Sequence, residues 1–199
     1  MCIRDSVDLV PTMRSLMIHY DPLCISQAEL KKFINPLLGR EFTLDGDIIR
    51  WRIPVCYENK YAPDIEDVSR SLKVSASEII KQHTSVELEV FMMGFLPGFP
   101  YLGLLPEIFD LPRRVEPRVH VPPRSISVAA RQTTIYTIDS PGGWHLIGQT
   151  PVDFSDPNRE NPVLVKAGDK VSFFAIDSKE YPAVRRALQA DEYPLIMDC

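Results

Sequence analysis

The stretch SISVAARQTTIYTIDSPGGWHLI, residues 125–147, decides how the fold is read. Two short runs, Ser125–Ala129 and Gln132–Ile138, are followed by a third at Trp144–Ile147, with the turn signal Ser140-Pro141-Gly142-Gly143 before the last. Downstream, Val163–Val165 and Val171–Ile176 continue the pattern between turn signals at Asp156-Pro157-Asn158 and Ala167-Gly168-Asp169. Short strands punctuated by Pro, Gly, Asn and Asp predict a small β-barrel or sandwich.

Upstream, the rhythm is different. Ser15–Tyr20 alternates as a strand and ends at Asp21-Pro22. Ser26 and Glu29 form a capping box ahead of Leu30, Phe33, Ile34, Leu37 and Leu38 at helical spacing, with Pro36 as an early stop and Gly39 beyond the end. Ile48–Val55 reads as a strand that Pro54 pushes to a sheet edge. Asp64–Leu72 and Ser75–His83 read as short helices, the second opened by a Ser75–Glu78 capping box, and Val86–Met93 alternates as a strand. Tyr181–Ala190 reads as a closing helix.

Composition shifts near residue 86. Prolines at 97, 100, 106, 112, 117, 122 and 123 crowd one segment, and all glycines but those at 39 and 46 lie beyond residue 90. The fold class expected is therefore α+β: a small N-terminal α+β lobe over 7–85, a β-barrel over 86–180, and a C-terminal helix and tail over 181–199. The opening MCIRDS reads as foreign to the rest of the chain, so the native chain is expected to begin upstream of Val7.

A chain of 199 residues with 45% hydrophobic and 25% charged residues can bury a core without disulfide or metal staples. Its net charge of −5 argues against a nucleic-acid or anionic-lipid partner. The longest uncharged apolar stretch, Phe91–Pro106, is too short to span a bilayer and is broken by Pro97 and Pro100, so no membrane association is expected. No secretory leader is read at the N-terminus. Cysteines at 2, 24, 56 and 199 form no CxxC pair and fit a reducing, cytoplasmic setting. Histidines at 19, 83, 120 and 145 are too dispersed for a metal site. Phosphate-loop, dinucleotide, nucleophile-elbow and zinc-protease signatures do not occur.

Two loops and a basic stretch hold the candidate chemistry. In GFLPGFPYLG (94–103), Pro97 and Pro100 stiffen the backbone, Gly98 permits a tight turn, and Phe95, Phe99 and Tyr101 offer flat surfaces. The segment reads either as a buried structural corner or as the aromatic wall of a pocket. In SPGGWHLIG (140–148), Gly142 and Gly143 can turn amides toward an anion, while Trp144 and His145 point to opposite faces of a strand. Between them lie Arg113, Arg114, Arg118, His120, Arg124 and Arg131, read either as a solvated face paired with Glu107, Asp110 and Glu116 or as an anion-binding cluster beside Gln132 and Thr133.

Several long motifs in register resemble the KipI/PxpB family, which includes the B-type subunits of 5-oxoprolinase and is also called allophanate hydrolase subunit 1 or the carboxyltransferase C/D-type domain. They are GFLPGFPYLG, LPRRVEPRVHVPPRSISVA, QTTIY, SPGGWHLIGQTP and NPVLVKAGDKVSFFAI, with VPTMRSLMIHYDP, IPVCYENKYAPDIEDV and SEIIKQHT upstream. Together they cover residues 7–180. Where the family pattern reads AGxQTGIYP, this chain has Ala130, Thr134 and Thr137 at the two small positions and the proline, and LGL at 102–104 replaces LGG.

The resemblance implies a cyclophilin-like β-barrel, and a strand and helix before Val7 whose absence leaves the N-terminal sheet without a partner. It implies a subunit of an ATP-dependent 5-oxoprolinase, inactive without partners: a PxpC-like carboxyltransferase subunit and a PxpA-like lactam hydrolase subunit. ATP, with Mg2+, would be shared with those partners, and no biotin would ride on this chain. Other members imply inhibition of a sensor histidine kinase, or an allophanate hydrolase or urea carboxylase role. On residue type and location, Arg118 and Arg124 are the candidate anion contacts, the Gly142 and Gly143 amides the oxyanion or phosphate donors, and His145 or His83 the proton carriers. Phe95, Pro97, Gly98, Phe99, Gln132, Thr133 and Trp144 complete the candidate binding set.

Overall fold

A computed structural model describes residues 6–40 and 48–195; most of the MCIRDS lead, Cys2 and Cys199 lie outside them. The chain divides into two compact units, 1–47 and 48–199. In the first, β1 (Ser6–Pro11) and β2 (Leu16–Tyr20) form an antiparallel pair, followed by α1 (Gln27–Ile34). The capping box is formed: the Ser26 hydroxyl accepts from the Glu29 amide, and the Glu29 carboxylate accepts from the Ser26 amide at 3.0 Å. Pro36 falls in a short 3-10 turn just after α1.

The second unit is built on a closed seven-stranded barrel. Its elements in chain order are β3 (Arg50–Cys56), α2 (Ile65–Leu72), α3 (Ala76–Thr84), β4 (Glu87–Met93), β5 (Pro100–Gly103), β6 (Arg118–Val121), β7 (Ser125–Ala129), β8 (Gln132–Ile135), β9 (Ser140–Gly142), β10 (His145–Gln149), β11 (Lys170–Ile176) and α4 (Glu180–Gln189). Around the barrel the order is β10-β3-β11-β4-β5-β8-β7, while β6 and β9 pair as a separate two-stranded flap. The mixed α/β architecture with a barrel is thus the one expected.

Two expectations need correcting. The boundary expected at residue 86 falls at 47/48, because β3 runs parallel to β11 along its whole length, from Arg50 opposite Lys170 to Cys56 opposite Ile176. The composition shift marks where the loops change, not where the folding unit begins. Nor is β3 a sheet edge. The Arg52 amide donates to the Leu195 carbonyl, so Pro54, two residues on, also turns its nitrogen away from β11. On that side β3 meets β10 only at Cys56–Gln149, and the missing N–H of Pro54 leaves no rung broken.

Alternation decides which side chains fill the bore. Ile126 and Val128 of β7, Ile135 of β8, Leu102 of β5, Ile147 of β10 and Ile53 and Val55 of β3 are all fully buried in one core cluster, joined by Ile65, Val68 and Ile79 from α2 and α3. Residues of opposite parity, Tyr101, Thr134, Ser127 and Leu146, therefore face the outer wall of β5-β8-β7-β10. A smaller cluster of Phe99, Val121, Tyr136 and Leu146 packs there, with Val121 contributed by the flap.

Candidate functional site

Against this outer wall lies a hollow of about 340 Å³, lined by Phe95, Phe99, Tyr101, Arg113, Arg114, Pro117, Tyr136, Pro141, Gly142, Gly143 and Trp144. Its aromatic rings hold one another edge to face: Phe95 and Phe99 at 5.4 Å between centroids, Phe99 and Tyr136 at 5.1 Å, Tyr101 and Trp144 at 6.1 Å. Burial raises the pKa of Tyr101 and Tyr136 above that of an ordinary phenol, so both remain protonated at neutral pH. The Tyr136 ring also explains Gly142. A Cβ on residue 142 would fall 2.1 Å from the Tyr136 oxygen, so only glycine admits the ring.

The basic wall of the hollow is fastened by a carboxylate that is almost wholly buried. Asp64 precedes α2, yet its side chain makes no cap for that helix. It accepts instead from the Leu146 amide at 2.7 Å, from two nitrogens of Arg118 at 2.8 and 2.5 Å, and from Arg114 at 3.3 Å. The Asp64 amide in turn donates to the Leu146 carbonyl at 3.0 Å. One residue thus ties the start of α2 to β10 and to the 114–118 segment. The Arg114 amide donates to the Gly143 carbonyl at 2.7 Å, joining the basic segment to the glycine turn.

Residues 1–165 match the family described as "Carboxyltransferase domain, subdomain C and D". The chain belongs to this carboxyltransferase C/D family. It is 37% identical over 191 residues to the B-type 5-oxoprolinase subunit of Bacillus subtilis (strain 168), covering 90% of this chain and 79% of that protein. The B-type 5-oxoprolinase subunit of Haemophilus influenzae is 44% identical over 170 residues, 85% of this chain and 79% of its own length. The crystal structure of TTHA0988 superposes with a TM-score of 0.72 at 33% identity, over 88% of this chain and 34% of that longer one.

Within this carboxyltransferase C/D chain, the candidate residues separate into two groups. Phe95, Phe99, Gly142, Gly143 and Trp144 meet in the hollow, so the two glycine–proline loops share one cavity. Pro97 and Gly98 lie outside its lining. The Pro97 carbonyl accepts from the Thr137 hydroxyl at 2.8 Å, and Gly98 takes a φ of +69° where a Cβ would press to 2.9 Å from the Phe154 carbonyl. Gln132 pairs with Ala129 and Gly103 at the start of β8, away from the hollow.

Several of the candidate residues lie away from the hollow. His83 is a core residue, fully buried between Tyr57, whose hydroxyl lies 2.8 Å from Nδ1, and Thr133, 3.2 Å from Nε2, and stacked on Phe173 at 4.7 Å. Burial lowers its pKa to about 3, so it stays neutral at pH 7. Thr133 is correspondingly a buried partner of His83 and is not part of the hollow's lining. His145 does face away from Trp144, but Nε2 donates to the Pro112 carbonyl at 2.9 Å while Nδ1 is buried without a partner, and the ring does not line the hollow. Arg118 is paired with Asp64, which Arg114 also contacts at 3.3 Å, and Arg124 is paired at 3.2 Å with Asp153, which Arg185 also contacts at 2.5 Å. Arg124 lines a different cavity, with Tyr61 and Tyr181.

Asp64 and Tyr136 are the residues that sequence reasoning left without a site role. Asp64 read only as the first residue of a helix, and nothing local announces a partner 54 positions away. Tyr136 had one available signal: its place opposite a double glycine, which a bulky ring requires.

Proposed function

We propose that this chain is the B-type subunit of an ATP-dependent 5-oxoprolinase, opening 5-oxoproline to glutamate together with a PxpC-like carboxyltransferase subunit and a PxpA-like lactam hydrolase subunit. The observation that carries the reading is the aromatic hollow formed by the two family loops, large enough to admit a five-membered lactam and bordered by phenolic donors and one cationic wall. Names borne by the relatives support it at the level of the complex.

In this reading the chain binds and polarises the lactam. Tyr101, Tyr136 and Trp144 receive the flat ring, and the two phenols, kept protonated by burial, are donors for a carbonyl oxygen that gains negative charge as the ring opens. The flap glycines, with Gly143 tied to Arg114, keep that wall in place. Arg118 and Arg124, the candidate phosphate contacts, are each engaged by a carboxylate, and Arg124 lines a different cavity. Nucleotide contacts are therefore assigned to the partner subunits.

The test is reconstitution. With both partners present, the chain should support ADP release and glutamate formation that depend on 5-oxoproline. No turnover with every subunit folded and assembled would reject the proposal.

A further inference from the structure

Folding sorts the basic segment into committed and uncommitted charge. Asp64 holds Arg118 and Arg114, Asp153 holds Arg124 and Arg185, and Glu107 lies 3.9 Å from Arg131. Arg113 is different. Among the described residues it makes no ion pair and no hydrogen bond, and its guanidinium carbon lies 5.6 Å from the centre of the Trp144 ring, within cation–π range. Its backbone is nevertheless fastened on both sides: the Pro112 carbonyl accepts from His145, and the Arg114 amide donates to Gly143. The side chain is thus left open over a fixed wall of the hollow.

Its charge is felt inside. Arg113 pulls the phenol pKa values of Tyr101 and Tyr136 downward, against the larger upward effect of burial. Among the arginines of the lining, Arg113 is the one with no acid partner, and its guanidinium offers a planar, two-pronged site to a single carboxylate.

Resting on the reading that the hollow takes a lactam, we propose that Arg113, laid on Trp144, is the residue that selects ligands carrying one carboxylate on a small flat ring. Asp64 contributes from a distance: it draws the Arg114 and Arg118 guanidiniums into hydrogen bonds with itself and leaves Arg113 as the guanidinium of the lining without an acid partner.

The experiment is calorimetric titration of the full chain, alone and assembled with its partner subunits. The ligands are 5-oxoproline, 2-pyrrolidinone (the same ring without the carboxylate), benzoate and inorganic pyrophosphate. The proteins are wild type, Arg113→Gln and Arg113→Lys. Because Arg113 is exposed and unpaired, both variants should keep the wild-type urea midpoint. Arg113→Gln should weaken 5-oxoproline and benzoate roughly 10- to 100-fold, the loss of a charge-assisted contact. Arg113→Lys should recover part of it, keeping the charge without the fork. The weaker binding of 2-pyrrolidinone should be indifferent to both changes. Carboxylates that bind wild type and Arg113→Gln equally, pyrophosphate that outcompetes them, or no carboxylate binding to any form would each overturn the proposal. If benzoate binding depends on Arg113 while 5-oxoproline fails to bind, Arg113 stands as the selecting residue and the lactam reading falls.

Discussion

Replacing Asp64 with asparagine tests whether the buried carboxylate organises the site. The Asp64 side chain is 2% exposed, and it receives four hydrogen bonds, three of them from guanidinium groups. Asparagine retains an oxygen for the Leu146 amide but removes the charge and turns an NH2 group toward two cations. Breaking a buried ion pair by removing one partner costs about 3–5 kcal/mol. Arg114 and Arg118 keep 27% and 25% of their side-chain surface in water and can recover some hydration, which places Asp64→Asn nearer 2–3 kcal/mol. Alanine also strands the Leu146 amide and should add about 1–2 kcal/mol. Trp51 and Trp144 both lie in the second unit, so urea unfolding followed by tryptophan fluorescence reports on it. With an m-value near ~2 kcal/mol/M, the Asp64→Asn midpoint should fall by roughly 1–1.5 M at unchanged slope. The double variant with Arg118→Gln should be less destabilised than the sum of the two singles, because each removes the same contact. An Asp64→Asn protein within about 0.5 kcal/mol of wild type, or strict additivity with Arg118→Gln, would refute the reasoning.

Two further outcomes rest on the same geometry. The folded pKa of His83, about 3, lies below its ordinary value of 6.5, so the unfolded chain takes up the proton first. Its contribution is therefore complete above about pH 6.5 and is lost as pH falls toward 3, by about 2–3 kcal/mol at pH 4.5. His83→Gln should flatten the pH dependence of the urea midpoint between pH 7 and 4.5 by that amount, and parallel profiles would contradict the burial argument. Gly142→Ala must tilt the buried Tyr136 ring, because the new Cβ falls 2.7 Å from its Cζ as well as 2.1 Å from its oxygen. It should cost about 1–3 kcal/mol and weaken carboxylate binding in the calorimeter. Gly143→Ala, whose Cβ meets only Pro117 at 3.7 Å, is the neutral control, and equal effects at the two positions would dismiss the close-packing explanation.

Local signals carried much of the fold. Capping at Ser26 and Ser75, the alternation of β4, and the β-rich runs of β7 and β11 between turn signals are all properties of neighbouring residues, and each placed an element within a residue or two. Val163–Val165 shows the limit: with the ladders closed by other strands, only Val163 finds a bridge, to Ser155. The barrel's membership was less legible, because β3 joins it through a parallel pairing with a strand 120 residues later. The short β6–β9 flap and β5 were hidden for another reason: Pro100, Pro117, Pro122 and Pro141 inside or beside them read as breakers.

The site divides along the same line. Shape was legible, since an alternation of glycine, proline and aromatic residues dictates a stiff loop with flat surfaces, and two such loops do share a cavity. Charge was not. A run of arginines has the same composition whether its members are free or paired, and the carboxylates that decide it, Asp64 and Asp153, stand 54 residues before Arg118 and 29 after Arg124. Burial then amplifies the choice: a carboxylate as buried as Asp64 must be matched by cations and donors, so it takes whichever arginines the fold delivers. Those it takes become structural, and the one it cannot reach stays available to a ligand. In this chain the arginines beside the hollow that are held in hydrogen bonds are thus chosen by the position of an acid outside its lining, Asp64, and Arg113 is the one it leaves out.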